Sequence, residues 1–419
     1  MADTFRVDGG IYTSPEVFEQ EMDRIFGRTW VYLAHESELP GPGDYVTSYL
    51  GRLPVIVSRD QQGAVRVFFN RCRHRGAALV RHAAGNTRYF TCKYHGWSYA
   101  GDGRLAAVPM ATDGAYPAEM DRSGLGLLGP PRVERYRGLV FACLDPQVEP
   151  LTDWLGDARP FIDWQFDRSI TGEIDLCHGA HRSQYQGNWK FLAENSVDGY
   201  HANYVHDSFW QLLANFGNQG GVHGSYDETS RKDIIRRREG GWTQSFRNGH
   251  GMLAVPMGDD ALRKLCEGPH ADYLRRLEQA RGPGSLARLM TNYYVVLFPN
   301  VALILDQIRT WRPVGADCTQ VTMQPYSLVG APLEWNRERL AGYQRFFGPS
   351  GFGSPDDVEI FGINQQGLAA QPVRWLELQR GLPRERAEGA SRIGGATDET
   401  PQRGFHRQWQ RMMGDAHVG

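Results

Sequence analysis

The sequence is poor in the features that would place it quickly. Six cysteines in 419 residues are too few for a disulfide framework, so a reducing, cytoplasmic setting is expected. A formal net charge of −2 leaves none of the basic excess that nucleic-acid binders carry. No apolar run spans a bilayer: the most apolar stretch, Tyr293–Leu305, falls short of about 20 residues and is interrupted by Pro299 and Asn300. The opening Met-Ala-Asp-Thr-Phe-Arg-Val-Asp has no basic segment followed by an apolar one, so no secretory signal is expected. There is no internal repeat or low-complexity tract, and no Gly-x-Gly-x-x-Gly follows a strand pattern. A membrane protein, a nucleic-acid binder and a disulfide-stapled secreted domain are thereby excluded as expectations. What the sequence has is bulk: 41% hydrophobic and 11% aromatic residues, ample for a core of ordinary globular kind.

Two textures follow one another along the chain. A helix is expected after Ser14, with Pro15 in its first turn and Val17, Phe18, Met22, Ile25 and Phe26 as one apolar stripe. From about Pro40 short alternating runs take over: Tyr45–Leu50, Val55–Ser58 and Val65–Asn70, the last two joined by an Asp60–Gly63 turn, with Gly138–Leu144 as a closing strand. Beyond Leu151 longer helical patterns (Trp189–Trp210, Ala261–Arg281, Trp335–Phe347) mix with β-like runs at Tyr293–Phe298, Ala302–Arg312 and Thr319–Leu328. Leu382–Arg403 reads as loop, with an aromatic helix after it. The expected class is α+β: a small all-β domain over residues 38–150, and a larger domain over 151–419 with helices around an antiparallel sheet. An N-terminal helical segment, residues 1–37, is expected to pack with the larger domain.

Inside the β module stand Cys72-Arg-His74 and, further on, Cys92-Lys-Tyr-His95. Two thiolates and two imidazoles on paired loops close a four-ligand site, and structural zinc is one owner of such a set. Each loop here offers one Cys and one His, which suits a [2Fe–2S] cluster with cysteines on one iron and histidines on the other. The neighbours sharpen the match. Asn70-Arg-Cys72-Arg-His74-Arg-Gly76 and Cys92-Lys-Tyr-His95-Gly-Trp97 resemble the Rieske loops of ring-hydroxylating oxygenases, in which the Trp covers the cluster. Cys143, Cys177, Cys266 and Cys318 are isolated and read as buried bystanders.

A second constellation lies in Asn188-Trp-Lys-Phe-Leu-Ala-Glu-Asn195-Ser-Val-Asp198-Gly-Tyr200-His201-Ala-Asn-Tyr-Val-His206. Asp198 and His201 share a helix face at this spacing. His201 and His206 would not converge on a regular helix, so a shared ion needs the helix to widen or break. Alone, the pair reads as polar helix residues before it reads as ligands. Joined to the Rieske pattern, the segment resembles the mononuclear iron motif of the Rieske oxygenase α subunit. That resemblance implies His201 and His206 as two ligands of a facial triad with open positions for dioxygen. Phe347-Gly-Pro-Ser-Gly-Phe-Gly-Ser-Pro-Asp356-Asp357 resembles the segment that supplies the carboxylate, with Asp357 in the ligand position. Asp356 and Asp357 also suit the start of a helix running toward Gln366.

The resemblance covers nearly the whole chain. It implies a terminal oxygenase with a [2Fe–2S] cluster, mononuclear Fe(II) and O2 as co-substrate, fed from NAD(P)H through a separate reductase, with or without a ferredoxin. It implies a trimer, α3 or α3β3 if a small β subunit is present, in which one subunit's cluster serves its neighbour's iron. Asp198 would then bridge His95 and His201, with Asn195 and Tyr200 in support. The catalytic half looks most like oxygenases of aromatic carboxylates, the benzoate, anthranilate and salicylate group, through Asp306-Gln-Ile-Arg309-Thr-Trp-Arg312-Pro. Arg309 is the candidate for the substrate carboxylate, since a guanidinium pairs it bidentately. Gly199, Ala202, Asn292, Ile304 and Phe347 are the expected pocket walls. cis-Dihydroxylation is the leading reaction; ring monohydroxylation and oxidative demethylation are the alternatives. Outside the enzyme class stands a zinc or electron-carrier protein.

Overall fold

The structure, a computed structural model, describes residues 4–111, 115–117, 119–209, 211 and 240–414. The chain divides into two compact units, Phe26–Leu151 and Met1–Ile25 with Thr152–Gly419. The expected boundary at residue 37 falls later than this one, because strand Val31–His35 pairs with Leu139–Cys143 inside the smaller unit. No helix among the described residues is long and apolar enough to cross a membrane.

The smaller unit is all β apart from single helical turns. Its four-stranded sheet runs in the order Val65–Phe69, Leu53–Arg59, Asp44–Leu50, Ala84–Asn86. Alternation along these strands sends Ile56, Phe68 and Tyr45 into a core that also holds Cys72, Cys92, Trp97 and Tyr99. A second small sheet, Tyr89–Thr91, Ser98–Ala100 and Leu105–Ala107, carries the turn that presents Cys92 and His95.

The larger unit is built on a nine-stranded antiparallel sheet. Its central strands, Gly251–Val255, Asn292–Leu297, Val301–Ile304 and the first three residues of Gln307–Gly315, are largely buried on both faces. Tyr293 on one face meets Phe161 and Trp164 of helix Arg159–Phe166, at 5.5 and 5.6 Å between ring centres. The opposite face carries the rows Leu253, Tyr294, Ile304, Gln307 and Gly251, Val296, Ala302, Arg309, Met323, His181, each residue directly across from the next. Helix Thr400–Met413 closes one end of this face, where Gly251 lies against Pro401 and Gly404 against Ser245. Helix Leu333–Phe347 closes the other, with Phe347 under the Arg309 guanidinium at 5.2 Å.

Three sequence expectations change. The Trp189–Trp210 helix is interrupted after Asn195: a single turn, His201–Asn203, follows, and helix resumes at residues 207–209; Trp210 itself lies outside the described residues. The Ala302–Arg312 run is a hairpin: Leu305 at a φ of 53° turns the chain between strands Val301–Ile304 and Gln307–Gly315. The expected loop Leu382–Arg403 supplies strands Arg386–Glu388 and Ser391–Gly395 to the large sheet. Its Arg and Glu are structural: Arg403 is fully buried and donates to Glu385 Oε2 at 2.6 Å. Among the bystander cysteines, Cys143 is buried but Cys177 is exposed.

His250 lies in the larger unit, with Nε2 2.9 Å from the Trp154 carbonyl oxygen and Nδ1 accepting from the Phe298 N–H at 3.0 Å. Burial lowers it to about 4. The unfolded chain therefore takes up a proton below about 6.5 that the folded one refuses. Its share of stability, at most about 3 kcal/mol, should be lost as the pH falls from about 6.5 to about 4. Denaturant melts across that range should show the loss, and His250→Gln should flatten it.

Candidate metal centres and substrate recess

Each Rieske-like loop is shaped by one glycine. Gly76 and Gly96 stand four residues after Cys72 and Cys92, at φ of 77° and 74°, and their N–H groups donate to the cysteine carbonyls at 3.0 and 2.9 Å. A Cβ on Gly96 would sit 2.8 Å from Pro109 Cγ. Asn70 pins the first loop: its Oδ1 accepts from the Leu79 and Val80 N–H groups and its Nδ2 donates to Val80 O. The result is two buried thiols and two imidazoles whose ring centres are 4.6 Å apart. Trp97 stacks on His74 at 4.9 Å, and the buried His74 Nδ1 has no hydrogen-bond partner among the described residues.

Tyr99 was not anticipated. Its hydroxyl accepts from the Arg73 N–H and lies 3.3 Å from Cys72 Sγ. Burial and the Cys72 thiol hold the phenol well above its ordinary value, so it stays a donor toward sulfur. Alternation along Ser98–Ala100 was the only signal for its inward side chain. Desolvation, His74 and Arg75 together hold His95 below the ordinary imidazole value. Buried thiols, an unpartnered imidazole nitrogen and a donor aimed at sulfur fit an iron–sulfur cluster.

The second centre forms where the helix fails. Asn188 caps helix Trp189–Asn195 through the Lys190 N–H, and after Asn195 the chain turns sharply. Gly199 is required there, since a Cβ would lie 2.0 Å from the Ala396 carbonyl oxygen. This turn, rather than a shared helix face, brings Asp198 Oδ2 to 3.3 Å from His201 Nδ1, while Asp198 Oδ1 accepts from the Tyr200 N–H at 2.6 Å. Burial pushes the Asp198 carboxyl up, but His201 and the backbone N–H groups outweigh it and leave it below its ordinary value.

Helix Ser354–Gly367 supplies the third element, with Asp356 and Asp357 in its first turn after Gly353. Asp357 Oδ1 lies 3.6 Å from His201 Nε2 and 3.4 Å from His206 Nε2. One ligand atom from each of the three falls within 4.8 Å of the others, close to the spacing of about 3 Å that ligands bound to one ion at right angles would adopt. Asn195 Nδ2 donates to Asp357 Oδ1 at 3.1 Å and lies 3.2 Å from His201 Nε2. The tautomer follows: Nδ1–H of His201 faces Asp198 and Nε2 keeps its lone pair for a metal. His206 repeats the pattern, with Nδ1 3.6 Å from Asp356 Oδ2. Burial holds His206 below the ordinary imidazole value against the pull of Asp357, which favours the neutral ligand form. Two imidazoles and one carboxylate fit a non-haem iron.

Residues 29–119 match the Rieske [2Fe–2S] domain family, and residues 161–415 match the catalytic domain of the ring-hydroxylating alpha subunit. This chain is a ring-hydroxylating oxygenase alpha subunit. It is 35% identical to the anthranilate 1,2-dioxygenase large subunit of Acinetobacter baylyi, over 98% of this chain and 90% of that protein. It is 34% identical to the 2-halobenzoate 1,2-dioxygenase large subunit of Burkholderia cepacia, over 91% and 81%. A crystal structure of naphthalene 1,2-dioxygenase with indole in the active site superposes with a TM-score of 0.85 at 29% identity, over 98% of this chain and 92% of that one. The oxygenase therefore carries a Rieske cluster and a non-haem iron, and uses O2 with reductase-supplied electrons.

The expected pocket walls fall into two groups. Ile304, Arg309 and Asn292 lie on the same sheet face, and a Cβ on Gly199 would come 3.5 Å from Leu253 Cδ1 of that face. Phe347 joins them through Arg309. Ala202 lies in the turn between the two histidines. Asn292 lines a cavity with Arg168, Met257, Met290, Trp335 and Arg339. Arg309 is 3% exposed, and its Nε and Nη2 have no hydrogen-bond partner among the described residues. Burial lowers its guanidinium, while the nearby Asp357 charge, Tyr343 and Tyr185 pull it back up. Arg312, by contrast, donates to Gln320 Oε1 at 3.2 Å.

The two neighbouring aspartates separate by experiment. Asp357→Ala should lose the mononuclear iron, whereas Asp356→Ala, which removes only a group behind His206, should weaken it about 10- to 100-fold. Iron titration of both proteins, with the Rieske visible absorption as internal reference, gives the ranking; the reverse order would move the ligand by one residue.

Proposed function

We propose that this subunit hydroxylates the ring of an aromatic carboxylate, by cis-dihydroxylation, with Arg309 holding the carboxylate. The observation that carries the reading is the buried guanidinium itself. An arginine 3% exposed, with two nitrogens unpartnered among the described residues and an aromatic ring beneath it, is costly unless an anion completes it. It lies close enough to Asp357 to feel that charge. A carboxylate held by its planar fork would therefore present the attached ring toward the three-ligand centre. Ile304, Phe347, Gly199, Ala202 and Asn292 are the walls assigned to that ring. The relatives named for anthranilate and 2-halobenzoate support the same class.

In this reading His201, His206 and Asp357 hold the iron, and Cys72, His74, Cys92 and His95 hold the cluster, with Trp97 covering it. Iron bound there supplies the activation of dioxygen, with electrons from the cluster. The protein's own part is positional. Asp198 fixes the His201 tautomer and has a second oxygen edge for the His95 of another copy, which implies a trimer in which clusters and irons of neighbouring subunits are paired. Asn195 orients Asp357 and His201, and Tyr200 anchors Asp198 through its N–H. The electron donor is a reductase, with or without a ferredoxin, and the four cysteines outside the cluster, none of them in a disulfide, agree with a cytoplasmic setting.

Two variants test these roles. Arg309→Met should raise KM for aromatic carboxylates about 100-fold while neutral arenes gain, since a hydrogen-bonded charge pair is lost; unchanged carboxylate kinetics would remove the clamp. Asp198→Asn should keep iron and sulfide yet slow turnover, because the amide replaces one of the two accepting oxygens with an NH2 that can only donate. Stopped-flow reoxidation of the reduced cluster reads that step, and wild-type rates would reject the bridge.

A further inference from the structure

We infer that Gln307 reads a second group on the substrate ring, a hydrogen-bond donor such as an amino or hydroxyl substituent, beside the carboxylate on Arg309. The inference rests on the aromatic-carboxylate reading and narrows it.

Gln307 is fully buried, and neither its Nε2 nor its Oε1 has a hydrogen-bond partner among the described residues. Buried side-chain amides are nearly always matched, so one with both ends open calls for an explanation. A flipped amide does not help, because donor and acceptor are open together. Nor is the region loosely built. Next to it Asp306 is paired with Arg339, and Arg339 Nη1 donates to Asn336 Oδ1 at 3.0 Å.

The position is informative. Gln307 and Arg309 are two apart on one strand, so their side chains leave the same face, with Cα atoms about 7 Å apart. Gln307 lies directly across from Ile304, in the row that continues through Tyr294 to Leu253. Leu253 is the residue that Gly199 approaches. The open amide therefore lies on the same sheet face as the open guanidinium, the face that Gly199 approaches.

Counting donors and acceptors selects the ligand. Arg309 Nε and Nη2 and Gln307 Nε2 are open donors, and a carboxylate, which only accepts, can satisfy them. Gln307 Oε1 is an open acceptor that no carboxylate can fill. A ring bearing both a carboxylate and an amino or hydroxyl group closes the set, whereas a plain or alkyl-substituted benzoate leaves Oε1 buried and unmatched.

The test compares ligands of equal shape. Calorimetric binding of 2- and 3-aminobenzoate against 2- and 3-methylbenzoate is measured on the resting holoenzyme, for the wild type, Gln307→Leu and Arg309→Met, with a thermal melt of each. The wild type should prefer one amino isomer over its methyl counterpart by about tenfold or more. Gln307→Leu should melt no lower than the wild type and bring that ratio to near one, mainly by tightening the methyl ligand. A wild type that binds amino and methyl isomers alike, or a preference that survives in Gln307→Leu, overturns the inference while the carboxylate clamp stands. Carboxylate binding untouched by Arg309→Met overturns the clamp, and the inference with it.

Discussion

Everything in the larger unit hangs on one buried carboxylate. Glu21 is fully buried and accepts from Lys190 Nζ at 2.6 Å, Trp189 Nε1 at 2.8 Å and Trp409 Nε1 at 2.6 Å. Three segments far apart in sequence meet there: the N-terminal helix, the helix that leads into the iron motif, and the C-terminal helix. Burial lowers the Lys190 ammonium, and the Glu21 charge pulls against that. Removing one member of such a pair costs about 3–5 kcal/mol, because the other charge stays buried. The pair therefore specifies where helix Trp189–Asn195 lies, and with it where the chain can turn out toward His201. Tyr12 adds a second tie, donating to Glu194 Oε1 at 2.6 Å beside His406.

From that fixed start the metal centre is assembled by a backbone interruption. Had the helix run on past Asn195, His201 and His206 would have pointed away from one another. Instead the turn at Gly199 brings both Nε2 atoms to Asp357, at the start of a helix whose first turn holds two acids. Each imidazole has a second carboxylate at its other nitrogen, Asp198 for His201 and Asp356 for His206. The carboxylates orient both rings and raise their basicity as ligands, while burial holds His206 below its ordinary value. The same sheet face that Gly199 approaches carries Arg309 and Gln307, whose polar atoms are left open among the described residues, so the polar cost is concentrated there.

What was readable in the sequence follows the range of the forces involved. Alternation fixed the strands around Tyr45, Ile56 and Phe68, because one buried face is a local constraint. Short loops made Cys72, His74, Cys92 and His95 readable together. The iron motif was harder: its histidine spacing argued only that a regular helix would not serve, and Asp357 came from resemblance, since a carboxylate on a distant helix leaves no local trace. Leu382–Arg403 failed because a stretch rich in Gly, Arg, Glu and Thr reads as loop, whereas Arg403 and Glu385 form a buried pair beside the added strands. Gln307 was invisible for the opposite reason: a glutamine beside an arginine looks ordinary until burial leaves its amide open.

The most direct test of the account is a single turnover in labelled dioxygen. The purified protein is reduced chemically, mixed with aromatic acids one at a time under labelled O2, and the product is read by mass spectrometry. The account predicts two labelled oxygens in one product, as a non-aromatic diol acid or, where an amino group and the carboxylate are lost from the hydroxylated carbons, as a catechol. One labelled oxygen on an intact ring would contradict dihydroxylation, and product from neutral arenes alone would contradict the carboxylate clamp.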